Sequence, residues 1–275
     1  MIIAAFFLFG LLIGSFLNVC ITRIPAGVSI VSPGSRCPEC GSSIKAYDNV
    51  PVLSWIVLRG KCRNCHTPIS AMYPTIEFVT ALLFVACYLS FGLSLATLKW
   101  LFFSSILVVL IVTDYRERIL PDLVNWFGVG LGIAFAIRVP PADGIARMLL
   151  GRHFGTALPR WTPGVLDAIL GAILCGGLLW AAAIFYRLLR GREGMGFGDV
   201  KMMFMVGAYL GWRLTILTIF LGVLSGSIIG ILLMLRQGRR NMQMLLPFGI
   251  FLGIGAIIAL LVGSHIVEWY ASQYR

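Results

Sequence analysis

Apolar stretches of about 18 residues or more recur along this chain, and no other feature narrows its fold as much. A backbone inside a bilayer must satisfy its own hydrogen bonds, so repeated apolar runs of this length mean helices. Composition agrees: 59% of the 275 residues are hydrophobic and 12% are charged, against about a quarter charged in a soluble domain. Eight candidate spans can be drawn: Ile2–Ile21, Met72–Ser90, Ala96–Thr113, Leu123–Ile137, Val165–Tyr186, Val200–Trp212, Leu214–Leu235 and Leu245–Trp269. The sixth is short, and Trp212-Arg213 divides it from the seventh. The expected fold is an all-α polytopic membrane protein with about eight transmembrane helices. The first span has no basic stretch before it and no small-residue cleavage site after it. It reads as a retained helix rather than a cleaved signal peptide.

The net charge of +11 therefore marks loops rather than a nucleic-acid surface, because Lys and Arg accumulate on the cytoplasmic side of membrane proteins. With the N-terminus outside, fifteen of the 22 Lys and Arg residues face the cytoplasm and seven do not. Four of those seven lie in or beside the loop Val139–Gly164, which weakens the count. Within that loop, Arg147 to Arg152 could lie on the membrane surface.

A polar insert, residues 22–71, follows the first helix (1–21) and precedes the helical remainder (72–275). It carries Cys37-Pro-Glu-Cys40 and Cys62-Arg-Asn-Cys65, with 21 residues between the pairs. Paired C-x2-C knuckles at such spacing match a four-thiolate zinc site. Some 50 residues bury too little apolar surface to fold unaided, so a metal or disulfides are needed. Four sulfurs complete a tetrahedral zinc shell without water, which makes the expected Zn2+ structural, as in a zinc ribbon. Two disulfides are the alternative, disfavoured if the insert is cytoplasmic. His66 is surplus to the site and reads as a surface histidine. Cys20, Cys87 and Cys175 lie in apolar runs, where a thiol behaves as a small hydrophobe.

Two aspartates stand at membrane edges, where an ionisable group is costly and suggests function. Asp114 closes the run from Ser105. At a helix end its charge opposes the helix dipole. Asp199 closes Gly196-Phe-Gly-Asp199, with Gly194 just ahead. It could equally cap a helix beginning at Val200. An even number of spans separates the two, so either orientation puts them on one side. Neighbouring carboxylates share one proton, so one can activate water while the other polarises a carbonyl. Asp122, after Pro121, reads as a helix cap. Lys201 could tune the pair or bind a substrate carboxylate, or simply snorkel. Glu77 sits near a helix start, where the dipole accounts for it, though it could position a substrate amine. Gly14, Ser15 and Asn18 in the first helix, and Gly222, Gly226 and Gly230 in the seventh span, read as helix-packing faces. The latter could also support a homodimer.

Taken in order, these pieces resemble the bacterial type IV prepilin peptidases, the leader peptidase/N-methyltransferases of type IV pili and type II secretion. The resemblance covers nearly the whole chain. It rests on Gly14-Ser-Phe-Leu-Asn-Val19 with Arg23-Ile-Pro25, both knuckles, Leu58-Arg-Gly-Lys-Cys62, Tyr73-Pro-Thr-Ile-Glu77, Asp114 with Pro121-Asp122, and Gly196-Phe-Gly-Asp-Val-Lys201. It implies a G-x-G-D intramembrane aspartyl protease with Asp114 and Asp199 as its catalytic pair. The implied reaction is cleavage of prepilins and pseudopilins after a glycine, at the cytoplasmic face of the inner membrane. It also implies N-methylation of the new N-terminus from S-adenosylmethionine, with Gly60 and Lys61 matching a stretch tied to that activity.

Two other readings use the same residues. Membrane carboxylates also serve proton-coupled transporters, although no inverted repeat is visible. A non-catalytic scaffold docking partners through its zinc ribbon is the other.

Overall fold

The computed structural model describes residues 1–142, 144–148, 159, 161–191, 195–237 and 247–273. Among the described residues the regular structure is helical: α1 (Ile2–Arg23), α2 (Leu53–Val57), α3 (Met72–Phe91), α4 (Leu95–Glu117), α5 (Asp122–Ala136), α6 (Thr162–Arg190), α7 (Phe197–Leu210), α8 (Trp212–Gln237) and α9 (Phe248–Ser272). The isolated β-bridges among the described residues, two in number, both lie in the insert.

Each expected span holds a helix, and 6 of the helices are long and apolar enough to cross a membrane. The chain is thus an all-helical, multi-pass membrane protein. The other two, α5 with 15 residues and α7 with 14, rise about 1.5 Å per residue and fall short of a hydrocarbon core of about 30 Å. The break between α7 and α8 falls at Gly211, whose φ of 79° only glycine adopts without strain. Lys99, one of the seven Lys and Arg residues that the sequence places outside, lies within α4, fully buried against the Trp100 ring. The final expected span opens at Leu245, outside the described residues.

Two compact units divide the chain inside α4, at Met1–Val109 and Leu110–Arg275. In the first, α1 packs along α3. The small residues of α1 permit this: a Cβ on Gly10 would lie 2.5 Å from the Ala81 Cα, and one on Gly14 would lie 2.6 Å from the Glu77 Cα. Asn18, buried, donates through Nδ2 to the Tyr73 carbonyl at 3.1 Å. The helix-packing reading of Gly14 and Asn18 accounts for both.

In the second unit, α7 is enclosed by α5, α6, α8 and α9. Nearly all its residues from Asp199 to Leu210 are buried, which explains how so short an apolar helix is held. Gly171 of α6 and Gly207 of α7 meet backbone to backbone: a Cβ on Gly171 would sit 2.5 Å from the Gly207 carbonyl oxygen. Gly222 and Gly226 of α8 face Leu252 and Phe251 of α9. Two of the three glycines of that face are therefore packed within the chain.

The described part of the loop after α5 is tied down by Asp167 of α6. This buried carboxylate accepts from the Ala146 N–H at 2.7 Å and from Arg147 Nε at 3.1 Å. Arg147 also donates to the Pro141 carbonyl. Arg147 is thus tied to Asp167 and Pro141, while Arg152 lies outside the described residues.

Candidate active site and metal centre

The four cysteines of the insert come together. Their Sγ atoms all lie within 4.8 Å of one another, and those of Cys37 and Cys65 are 3.7 Å apart. A tetrahedron of thiolates about 2.3 Å from zinc has edges of about 3.8 Å, so the donor set fits that metal. The two knuckles are built alike. The Cys37 N–H donates to the Ser42 carbonyl and the Cys62 N–H to the Thr67 carbonyl, each at 2.9 Å. Gly41 and His66 donate back to the Cys37 and Cys62 carbonyls at 2.9 and 3.0 Å. Bridges Arg36–Ser43 and Lys61–Pro68 close each turn. Ile44 and Ile69 then donate to Ser35 and Gly60. Each of these pairs is offset by 25 residues, so the insert is an internal repeat.

Hydrogen bonding favours the thiolate, the form that binds metal, at Cys40 and Cys62. At Cys37 the backbone N–H groups of Cys40 and Glu39 lower the pKa, but burial and the neighbouring thiols Cys40 and Cys62 bring it up to about 11. The Ser42 hydroxyl, 2.9 Å from the Cys40 sulfur, leads in bringing the Cys40 pKa down to about 6. The backbone N–H groups of Cys65 and Asn64 lower that of Cys62. Outside the cluster, Arg63 forks onto Asp48 at 2.6 to 3.0 Å and holds that carboxyl below its ordinary range.

Gly60 has a packing role. Its φ is 65°, and a Cβ there would lie 2.9 Å from the Trp55 ring. Trp55 in turn donates through Nε1 to the Ile69 carbonyl at 3.0 Å. Lys61, next along, is exposed. Glu77 lies in the first unit with a buried carboxylate that accepts the Val52 N–H at 2.7 Å. Val52 stands at φ 61°, costly for a β-branched residue, and starts α2. Glu77 thus fastens the insert to α3 instead of presenting a free carboxylate.

Asp114 and Asp199 are both in the second unit, each only 6% exposed. Helix α4 runs on to Glu117, so Asp114 lies one turn inside it rather than at its end. Its Oδ2 accepts the Ile250 N–H at 3.1 Å. Ile250 is in the first turn of α9, whose preceding Pro247 offers no side-chain cap. Asp114 therefore supplies that cap from 136 residues away, at the positive end of the α9 dipole. The charge that opposes its own helix is compensated by another.

Helix α7 begins at Phe197, earlier than the sequence suggests, so Asp199 falls in its first turn and Gly196 takes the cap position. No donor among the described residues bonds the Asp199 carboxylate. The two carboxylates lie within electrostatic range of each other. Leu120, buried, touches both sides. A Cβ on Gly198 would meet the Leu120 Cβ at 3.0 Å. A Cβ on Gly249 would lie 3.1 Å from Leu120 Cδ1 and 2.8 Å from Asp114 Oδ2. A Cβ at Gly249 would push the Asp114 carboxylate aside, and one at Gly198 would press on the Leu120 side chain. Gly194 lies outside the described residues.

Asp122 does not cap α5, since no cap hydrogen bond forms there. Both its oxygens bind Lys201 Nζ at 2.7 Å. Lys201 is thereby committed to Asp122, with the Phe197 ring also beneath it. Sequence reasoning missed Leu120, Gly249 and this ion pair. The Pro247-Phe-Gly249 turn ahead of the last apolar run was the available signal for Gly249; nothing local marks Leu120.

The family model described as Bacterial Peptidase A24 N-terminal domain matches residues 8–91, and that of the Type IV leader peptidase family matches 101–231. Several curated proteins named prepilin leader peptidase/N-methyltransferase are similar over nearly the full length. One from Aeromonas hydrophila is 36% identical over 98% of this chain and 93% of its own. Another, from Pseudomonas putida, is 33% identical over 97% and 91%. A third, from Burkholderia pseudomallei, is 31% identical over 93% and 84%. No solved structure matches the chain.

Proposed function

Because this chain belongs to the type IV leader peptidase family, we propose that it cleaves the leader from prepilins and pseudopilins with Asp114 and Asp199, and methylates the new N-terminus. The observation that carries the peptidase half is two buried carboxylates in one unit, within electrostatic range of each other, with Leu120 packed against Gly198 on one side and Gly249 on the other. Burial of two acids is costly and is rarely kept without use.

The chemistry follows from the pair. One ionised carboxylate takes a proton from water, and the water oxygen bonds to the scissile carbonyl carbon. The other, protonated, donates to the carbonyl oxygen. The C–N bond then breaks, and the leaving amine takes up a proton. No covalent enzyme intermediate forms. Gly249 brings backbone of α9 close to the Asp114 carboxylate. Cleavage at the cytoplasmic face of the inner membrane fits the excess of Lys and Arg in the loops on that side; cleavage after a glycine rests on the family resemblance.

The second activity rests on the relatives' printed name, which includes N-methyltransferase. S-adenosylmethionine would donate the methyl group to the freed amine. The residues proposed to serve it are Gly60 and Lys61, beside a knuckle whose four cysteines would hold zinc. The metal's part there is to hold the fold of the insert. The proposed division follows: α1, the insert 22–71, and the helical remainder bearing the peptidase pair.

Processing of a prepilin in membranes by Asp114→Asn and Asp199→Asn tests the pair. Each should lower cleavage by roughly 100- to 10,000-fold, the range for loss of an acid or base. Normal processing by either one removes that residue from the site.

A further inference from the structure

We propose that Asp122 and Lys201 form a clamp that sets the spacing of Asp114 and Asp199, acting through Leu120 as a wedge. The inference rests on the two-carboxylate reading above and assigns positioning residues to it. Three contacts on one short segment carry it. Asp122 opens α5 and grips Lys201 with both oxygens at 2.7 Å. Lys201 lies two residues past Asp199, on the same first turns of α7. Two residues before Asp122, Leu120 presses on Gly198 and Gly249. Gly198 precedes Asp199, and Gly249 precedes Ile250, whose N–H holds Asp114.

The segment therefore touches the backbone on both sides of the site. Pro121 lies between the wedge and the clamp and stiffens the link, because its ring fixes φ. Ion pairs at a surface contribute little to stability, and the Asp122 side chain is 61% exposed. A pair of this kind gains its worth here from geometry: it ties the start of α5 to the start of α7. If it opens, Leu120 is free to shift, and both carboxylates lose a common reference. Displacement of a reacting group by about 1 Å can cost on the order of 100-fold in rate.

The test compares Asp122→Asn, Lys201→Met and the exchanged pair Asp122→Lys with Lys201→Asp, in the full-length enzyme. Cleavage of a prepilin gives kcat and KM, and thermal unfolding is followed alongside. The clamp predicts a kcat lower by about 10- to 100-fold in each single variant, with KM within about twofold and an unchanged thermal midpoint. The exchanged pair should recover at least tenfold of that loss, roughly, since it restores the tie with the charges reversed. A rise in KM at constant kcat would instead make these residues substrate ligands and overturn the clamp. So would an exchanged pair no better than the singles. Asp114→Asn and Asp199→Asn run in the same assay keep the two claims apart. If those cleave normally, the carboxylate reading fails. If they are inactive while the clamp variants cleave normally, only the clamp fails.

Discussion

His66 occupies a place in the insert that its own chemistry does not explain. Its φ is 58°, and the residue 25 positions earlier, Gly41, has a φ of 68°. Both follow the second cysteine of a knuckle, where the chain must turn left-handed to return its N–H to the first. Glycine does this freely; histidine tolerates it at a cost of about 1 kcal/mol. His66→Gly should therefore stabilise the metal-loaded insert by about that amount, read as slower metal loss to a chelator. Faster loss would mean the imidazole contributes to the site. The sequence shows the four cysteines and their spacing plainly. It hides the repeat, because Gly41 and His66 share a dihedral angle and not a chemistry. Asp114 presents the same limit in another form. Its unfavourable place on α4 is legible in the sequence, but the Ile250 N–H that compensates it comes from 136 residues away.

Among elements, α7 shows how far hydrophobic pattern alone can go. Its existence is legible from the apolar run after Asp199, yet its start is not. The glycines that suggest a loop instead form the cap and first turn, because Gly198 must pass beneath Leu120. Gly171 and Gly207 make the matching contact on the α6 side. Gly171→Ala should destabilise the protein by about 1–3 kcal/mol, since the added Cβ meets backbone that cannot yield. Thermal unfolding in detergent checks this, and an unchanged midpoint would mean α6 and α7 can part freely. Asp122 is the element-scale surprise. An aspartate after a proline at a helix start reads as a cap, but the cap needs only a local acceptor, whereas the ion pair needs Lys201 from another helix. Tertiary partners of this kind leave no local trace.

For the molecule as a whole, the apolar runs fix a helical membrane protein, and the knuckles fix where its soluble part lies. The eight expected spans become six helices of crossing length and two shorter ones, because α5 and α7 are held by neighbouring helices as much as by lipid. The division into two units separates the insert and its fastening through Glu77 from the carboxylate pair. Damage to one should therefore spare the other. Cys37→Ser should lose metal and methyl transfer while cleavage by Asp114 and Asp199 persists within about threefold, since the two sites belong to different compact units. Metal analysis beside a cleavage assay measures both, and equal loss of the two activities would show that the units act as one.

Asp114 and Asp199 are proposed to cut the leader, and a separate activity to modify the end they expose. The mass of a prepilin's N-terminus tests this most directly, measured after incubation with wild type and with each Asp→Asn variant, with and without S-adenosylmethionine. Wild type should give the shortened chain alone, and the same chain heavier by one methyl group when the donor is present. Each variant should leave the prepilin uncut, yet add the methyl group to a chain already shortened. A shortened product at the wild-type rate from either variant would remove that aspartate from the cutting pair.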